Sequence, residues 1–175
     1  MKIENYKISN VELKDIESLR NISIQTFTET FAAQNAESDM QKYISDCLSI
    51  EKLTKEFHTV NSEFYFIRCE NKIIGYLKLN SGESQTECPN DNALEIERIY
   101  VEKKFHGKYA GKLLLQKAKD IAKQMRCEYI WLGVWENNER AITFYTKHGF
   151  VKYDTHLFKL GDDEQTDVMM KLMLN

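Results

Sequence analysis

The sequence predicts an α/β protein built around one mixed sheet, and three observations carry that reading. Apolar residues recur at helical spacing in the first third, give way to a meander of strands, and are followed by strand and helix in alternation. Tyr129-Ile-Trp-Leu-Gly-Val134 is a nearly continuous apolar run, as a buried central strand requires. Gly161-Asp-Asp-Glu164 then separates two late strand candidates.

The elements follow in order. Lys2 to Ile8 alternates weakly and reads as a first strand. Asn10 is the expected cap of a helix that carries Leu13, Ile16, Leu19, Ile22 and Phe27 and breaks between Phe31 and Asn35. A second helix runs from about Ser38 through Leu48, and Ser49 caps a third with Leu53 and Phe57. Phe64 to Arg68 and Ile73 to Leu79 form a hairpin turning at Glu70-Asn71. Ser81 to Asn92 is polar, holds Gly82 and the only proline, and reads as a surface loop. Leu94 to Val101 is the next strand.

Tyr109 to Met125 places Leu113, Leu114, Ala118, Ile121 and Ala122 on one face and Lys112, Lys117, Asp120 and Lys123 on the other. Asn138 caps a later helix that Gly149 ends. Phe150 to Tyr153, Leu157 to Leu160 and Val168 to Leu174 are the last strand candidates. Without a linker, repeat or low-complexity segment, residues 1–175 are expected to be a single domain.

Composition narrows the partners. With 24 basic and 27 acidic residues the net charge of −3 leaves no global nucleic-acid footprint. The N-terminus has no signal-like apolar region and no run is long enough to span a membrane, so a cytoplasmic location is expected. Cys47, Cys69, Cys88 and Cys127 are scattered, with no C-x-x-C, and no metal site is expected.

The chemistry concentrates in Glu95-Ile-Glu-Arg-Ile-Tyr-Val101 and the loop His106-Gly-Lys-Tyr-Ala-Gly-Lys112. A strand running into a basic, glycine-containing helix start offers unpaired amides and the positive helix end to an anion. The loop is not a Walker A motif. Gly107 to Gly111-Lys112 is one residue short, and Leu113 stands where a magnesium-binding hydroxyl belongs. No third glycine completes a dinucleotide fingerprint either. The second constellation is Asn138-Glu-Arg-Ala141-Ile-Thr-Phe144-Tyr145-Thr-Lys-His-Gly149-Phe150.

Together these segments resemble the GNAT superfamily of N-acetyltransferases. Its loop pattern, Gln/Arg-x-x-Gly-x-Gly/Ala, is met at Gly111 but has His106 at the first position and Tyr109 at the first glycine. Its later pattern, Asn-x-x-Ala-x-x-Phe-Tyr-x-x-x-Gly-Phe, is matched at every position from Asn138 to Phe150. Ile24 to Phe31 with Gln34-Asn35, Leu94 to Tyr100, Ile130 to Glu136 and Gly161 to Asp167 extend the similarity to the bacterial spermidine/spermine acetyltransferases of the PaiA type.

The resemblance implies a mostly antiparallel sheet of about seven strands flanked by helices and splayed between the fourth and fifth strands. It also implies acetyl-CoA as co-substrate and a small-molecule amine, most simply a polyamine, as acceptor. Ile99, Tyr100 and Val101 would line the pantetheine, with Asn138 and Ala141 nearby. His106, Gly107, Lys108, Tyr109, Ala110, Gly111 and Lys112 would hold the pyrophosphate, and Lys147 the nucleotide end. Tyr145 would be the general acid. Acceptance of another amine or a protein, and a CoA-binding regulator without catalysis, are the competing readings. A monomer or homodimer fits equally.

Acetyl transfer to an amine needs the amine neutral, although a primary ammonium titrates near about 10.4. Glu95 and Glu97 are the base candidates. On a regular strand they share a face with Ile99 and Val101, roughly 7 Å apart at about 3.3 Å per residue, but the resemblance implies a bulge in this strand that breaks the parity near Ile99. Glu95 is slightly preferred. Glu29 and Glu97 are candidates for acceptor binding, with Glu83, Glu87 and Asp91 in the loop before the fourth strand.

Overall fold

The structure, a computed structural model, describes residues 5–87 and 92–174. Seven strands form one sheet, in the order β1-β2-β3-β4-β5-β7-β6. They are β1 (Tyr6–Asn10), β2 (Ser62–Cys69), β3 (Lys72–Ser81), β4 (Ala93–Val101), β5 (Tyr129–Trp135), β6 (Val151–Leu160) and β7 (Asp163–Met173). All neighbours are antiparallel except β4 and β5. This is the α/β architecture the sequence predicts.

Among the described residues five α-helices flank the sheet: α1 (Ile16–Phe31), α2 (Glu37–Cys47), α3 (Ile50–Phe57), α4 (Ala110–Gln124) and α5 (Glu139–Lys147). On one face α4 lays Leu114, Leu115, Ala118 and Ala122 against Ile67, Leu77, Leu94, Ile96 and Ile130. On the other, Leu19 and Ile22 of α1 and Leu53 of α3 pack on Phe64, Phe66 and Tyr76. Phe27, Phe31 and Met40 pack with Trp135 and Leu160. Apart from Leu13, which precedes α1 and is 49 % exposed, the apolar positions that predict the helices lie on the faces they turn to the core.

Local signals act as expected at most boundaries. The Ser49 hydroxyl accepts from the Lys52 N–H at 3.1 Å, capping α3. Glu70 and Asn71 both take positive φ (49° and 69°), as a tight two-residue hairpin turn demands.

Three expectations are corrected. Asn10 ends β1 and does not cap α1; a single 3-10 turn over Leu13–Asp15 intervenes, and Asp15 accepts from the Glu12 N–H at 3.1 Å. The strand pieces at Phe150–Tyr153 and Leu157–Leu160 belong to one edge strand, β6, continuous through Asp154 to His156. The last turn is shorter than Gly161–Glu164, because β7 already begins at Asp163. Of the first strand candidate, Lys2 to Glu4 lie outside the described residues, as do Cys88, Pro89 and Asp91 of the loop before β4.

Two irregularities shape the site. The β4–β5 ladder holds only for Ala93, Leu94 and Glu95 against Tyr129, Ile130 and Trp131. Beyond Glu95 the strands part, so this edge of β4 is unpaired. On its other side Lys78 pairs with Arg98 and Leu79 with Ile96, leaving Glu97 as the extra residue of a β-bulge.

Among the described residues no helix is long and apolar enough to cross a membrane. None of their His, Cys, Asp and Glu side chains form a group of three or more that could hold a metal.

Candidate active site

Where β4 and β5 part, two cavities open, of about 410 and 770 Å³. Ile99, Val101, His106, Arg140, Ala141 and Tyr145 belong to the walls of both. The smaller cavity continues towards α1, the loop at Thr86–Glu87 and strands β6 and β7; the larger opens along the start of α4 and the outer face of α5. Tyr145 stands at the junction.

The bulge decides how the acidic residues point. Because Glu97 is the extra residue, Glu95 and Arg98 fall on one face, opposite Asn80 and Lys78, while Ile96 and Ile99 fall on the other, opposite Leu79 and Leu77. The shared face with Ile99 and Val101 that a regular strand would give the two glutamates is lost at the bulge: one inserted residue reverses the alternation. Ile99 and Val101 pack towards α4, and Tyr100 stacks at 5.9 Å on Tyr76 beneath α1.

The two carboxylates have different company. Glu97 contacts Lys78 at 2.5 Å and Arg98 at 3.1 Å. Glu56 of α3 closes that network, 2.9 Å from Lys78 and 2.7 Å from Arg98. Burial alone would raise the Glu56 carboxyl, but the Arg98 and Lys78 charges outweigh it and hold it below the usual range. Glu95 is 2 % exposed and, among the described residues, forms no salt bridge. Its Oε2 accepts from the Asn80 amide at 3.0 Å and the Thr86 N–H at 2.9 Å, and its Oε1 from the Thr86 hydroxyl. Burial pushes the Glu95 carboxyl up, against the hydrogen bonds from Thr86 and Asn80, and the Glu97 charge adds to the rise.

Tyr145 is 7 % exposed and packs on Phe144 and Phe150, with ring centroids 5.4 and 5.6 Å away. Its hydroxyl has no hydrogen-bond partner among the described residues. Burial pushes the phenol far above its ordinary value, opposed by the Arg140 charge. It therefore stays protonated at neutral pH and is available as a donor.

The larger cavity gathers most of the residues expected to hold an anion, but Lys108 and Ala110 are not in its wall. Gly107, Tyr109, Gly111, Lys112 and Lys147 line it. The first amides of α4, at Ala110, Gly111 and Lys112, have no intrahelical carbonyl to bond. The Lys108 N–H is committed to the Phe105 carbonyl at 3.2 Å, and the Lys108 carbonyl accepts from the Tyr6 hydroxyl at 2.8 Å. Tyr109, standing where the loop pattern has glycine, adopts the left-handed conformation that glycine would (φ 74°). Its ring swings out to solvent, 61 % exposed, under the Lys112 ammonium at 4.8 Å. His106 places Nε2 at 2.7 Å from the Val101 carbonyl, bracing the end of β4, and burial lowers its pKa. The Asn138 side chain caps α5 by accepting from the Ala141 N–H at 3.2 Å.

The smaller cavity is where sequence reasoning misses most. Glu29 is not in its wall; that carboxylate accepts from the Lys103 N–H at 2.6 Å and fastens α1 to the β4–α4 connection. Glu83 lies outside the wall as well. Glu87 is in it, beside His156 of β6 and Asp167 of β7, which face each other across the ladder. His156 Nε2 is 4.0 Å from both carboxylates. Burial raises the Asp167 carboxyl to about 6, opposed by His156. Asn80, Thr86, Arg140, His156 and Asp167 come from separate elements with no shared spacing. Only Arg140, inside the Asn138–Phe150 motif, and Asp167, at the end of the Gly161–Asp167 segment, lie in segments that carried a sequence signal.

The site is thus a splayed parallel pair, with a helix start whose first amides are unpaired within the helix on one side of a buried phenol and carboxylates on the other. The chain belongs to the acetyltransferase (GNAT) family, whose model matches residues 16–150. Enzymes of this family draw the acetyl group from acetyl-CoA.

Among relatives, an uncharacterized N-acetyltransferase in the pepI 3′ region of Lactobacillus delbrueckii subsp. lactis is 40% identical over 168 residues, 96% of this chain and 97% of that one. Spermidine N(1)-acetyltransferase of Thermoplasma acidophilum is 28% identical over 159 residues, 89% of this chain and 92% of that one. The crystal structure of the PaiA N-acetyltransferase of T. acidophilum in complex with coenzyme A superposes with a TM-score of 0.80 at 23% identity, covering 97% of this chain and 99% of that one.

Proposed function

We propose that this chain transfers an acetyl group from acetyl-CoA directly to a primary amine, with a polyamine of the spermidine or spermine type as acceptor. The observation that carries the reading is the meeting of the two cavities at Tyr145, one lined by helix-start amides and lysines, the other by carboxylates. Acetyl-CoA supplies the activated acetyl thioester.

The amides of α4 with Lys112 and Lys147 suit a pyrophosphate and nucleotide, and the larger cavity has room for an extended ligand. The unpaired edge of β4 from Ile99 to Val101 offers hydrogen-bonding groups to an amide-bearing chain. Glu95 accepts a proton from the incoming ammonium, directly or through water, and Tyr145 donates one towards the departing sulfur. Glu97, held by Lys78 and Arg98, lies beside Glu95.

Glu87 and Asp167 give the far end of the smaller cavity acidic side chains, which suits an acceptor with further ammonium groups. The likeness to a spermidine acetyltransferase supports the same choice. Cytoplasmic polyamine or amine metabolism is the corresponding setting.

A thiol-release assay with acetyl-CoA tests this against spermidine, spermine, a lysine peptide and a simple monoamine. Turnover is expected with the polyamines first. No turnover with any amine, despite CoA binding, overturns the reading. In the same assay Asp167→Asn is expected to raise KM for spermidine about tenfold, the worth of one partly buried charge pair, while leaving KM for the monoamine nearly unchanged. An equal rise for both would remove Asp167 from acceptor recognition.

A further inference from the structure

We infer that Asn80 is the positioning residue of the proton-accepting site, the group that lets two glutamates lie side by side with only one of them paired to cations. The inference rests on the proposed role of Glu95. Asn80 is 1 % exposed and sits on β3 directly opposite Glu95. Its Nδ2 donates to Glu95 Oε2 at 3.0 Å and to Glu97 Oε2 at 2.6 Å, so both amide protons are used on carboxylates. Its Oδ1 accepts from the Ser62 hydroxyl at 2.6 Å.

That third bond fixes the amide. A flipped Asn80 would point its carbonyl at two carboxylates and leave the NH₂ facing Ser62, so the network assigns the orientation. Two like charges in one buried site would drive one of them to protonate. Lys78 and Arg98 answer for Glu97, but among the described residues the only donors to Glu95 are Asn80 and Thr86. Thr86 belongs to the exposed loop before β4; Asn80 belongs to the sheet. A neutral donor here supports the Glu95 carboxylate without the tight ion pair that would make it too weak a base.

The charged surroundings are otherwise constant. Glu97 and Arg98 lie on its own strand, Lys78 on β3 and Glu56 behind it on α3. Across the cavity stand Glu87, His156 and Asp167, with Arg140 and Tyr145 on α5. None changes when Asn80 alone is replaced.

The test is a carboxyl-carbon NMR titration of Glu95 in protein labelled with δ-¹³C glutamate, the signal assigned by its loss in Glu95→Gln. In Asn80→Ala the midpoint is expected to rise by about one pH unit, and in Asn80→Ser, which keeps one donor, by less. The acidic limb of kcat/KM for spermidine moves with it, while the Kd for CoA, which reports an intact fold, stays in place. A wild-type midpoint and limb in CoA-binding Asn80→Ala overturns the inference. Should Asn80→Ala and Asn80→Ser lose CoA binding, Ser62→Ala, which releases the amide to turn, is read the same way: a raised midpoint supports the inference and an unmoved one overturns it. Because the titration needs no turnover, an enzyme inactive on every amine would refute the proposed function and still decide the role of Asn80.

Discussion

Tyr145→Phe is expected to lower the turnover number by about 100-fold or more, the usual worth of a placed general acid, with the Kd for CoA nearly unchanged. The substitution removes one oxygen and keeps the ring on which Phe144 and Phe150 pack, so the fold has little reason to respond. The hydroxyl makes no hydrogen bond among the described residues, so its loss leaves no protein group unpaired. Because burial holds the phenol well above its ordinary value, wild-type activity should show no fall from Tyr145 ionisation up to about pH 10. Pre-steady-state mixing with acetyl-CoA and spermidine separates the chemical step from product release. Unchanged turnover in the variant would strip Tyr145 of its role.

The second large effect is expected from Glu95→Gln. It should lower kcat/KM for the acceptor by about 100-fold or more and abolish the acidic limb of its pH profile. The folded-state pKa of Glu95 is raised, so the carboxyl is neutral below that value and becomes a base only as pH climbs through it. Activity therefore rises across a window above the usual carboxylate range, and the amide, which cannot titrate, removes that window. Glu97→Gln separates the two residues. It leaves Lys78 and Arg98 short of a counter-charge in a buried network, so it should reduce stability while retaining the acidic limb. If Glu97→Gln abolished the limb and Glu95→Gln did not, the two assignments would exchange.

Much of this site was legible before any coordinates, and the parts that were not have identifiable reasons. The Asn138–Phe150 segment could be read because its function is local: a cap, a helix face and a glycine stop lie within thirteen residues. Glu95 and Glu97 could be named but not oriented. The bulge at Glu97 exists only in the pairing of β4 with β3, a contact between residues some twenty apart that carries no local pattern. Asn80 and Asp167 fall just outside the strands read from the sequence, and only the sheet brings them beside the cavity. Glu29 failed for the opposite reason. Its helix passes near the site, but its carboxylate is spent on a backbone amide. Strand β6 read as two pieces because an edge strand with one exposed face needs no unbroken apolar alternation.

At the cofactor end, the apparent defect in the loop pattern at Tyr109 is absorbed by the backbone. The residue accepts a left-handed conformation, at a cost of order 1–3 kcal/mol, and turns its ring outward over Lys112. The first amides of α4 remain unpaired within the helix, which is what an anion reads.

The central claim is that the two cavities meeting at Tyr145 form one path, with CoA on one side and a polyamine on the other. The most direct measurement is the Kd, by calorimetry, of a conjugate in which the CoA sulfur is joined through an acetyl group to the terminal nitrogen of spermidine. A single path predicts binding at least about 100-fold tighter than CoA alone, since the second half docks without a second loss of freedom, and predicts that Asp167→Asn removes part of that gain. A conjugate that binds no better than CoA itself would contradict the account.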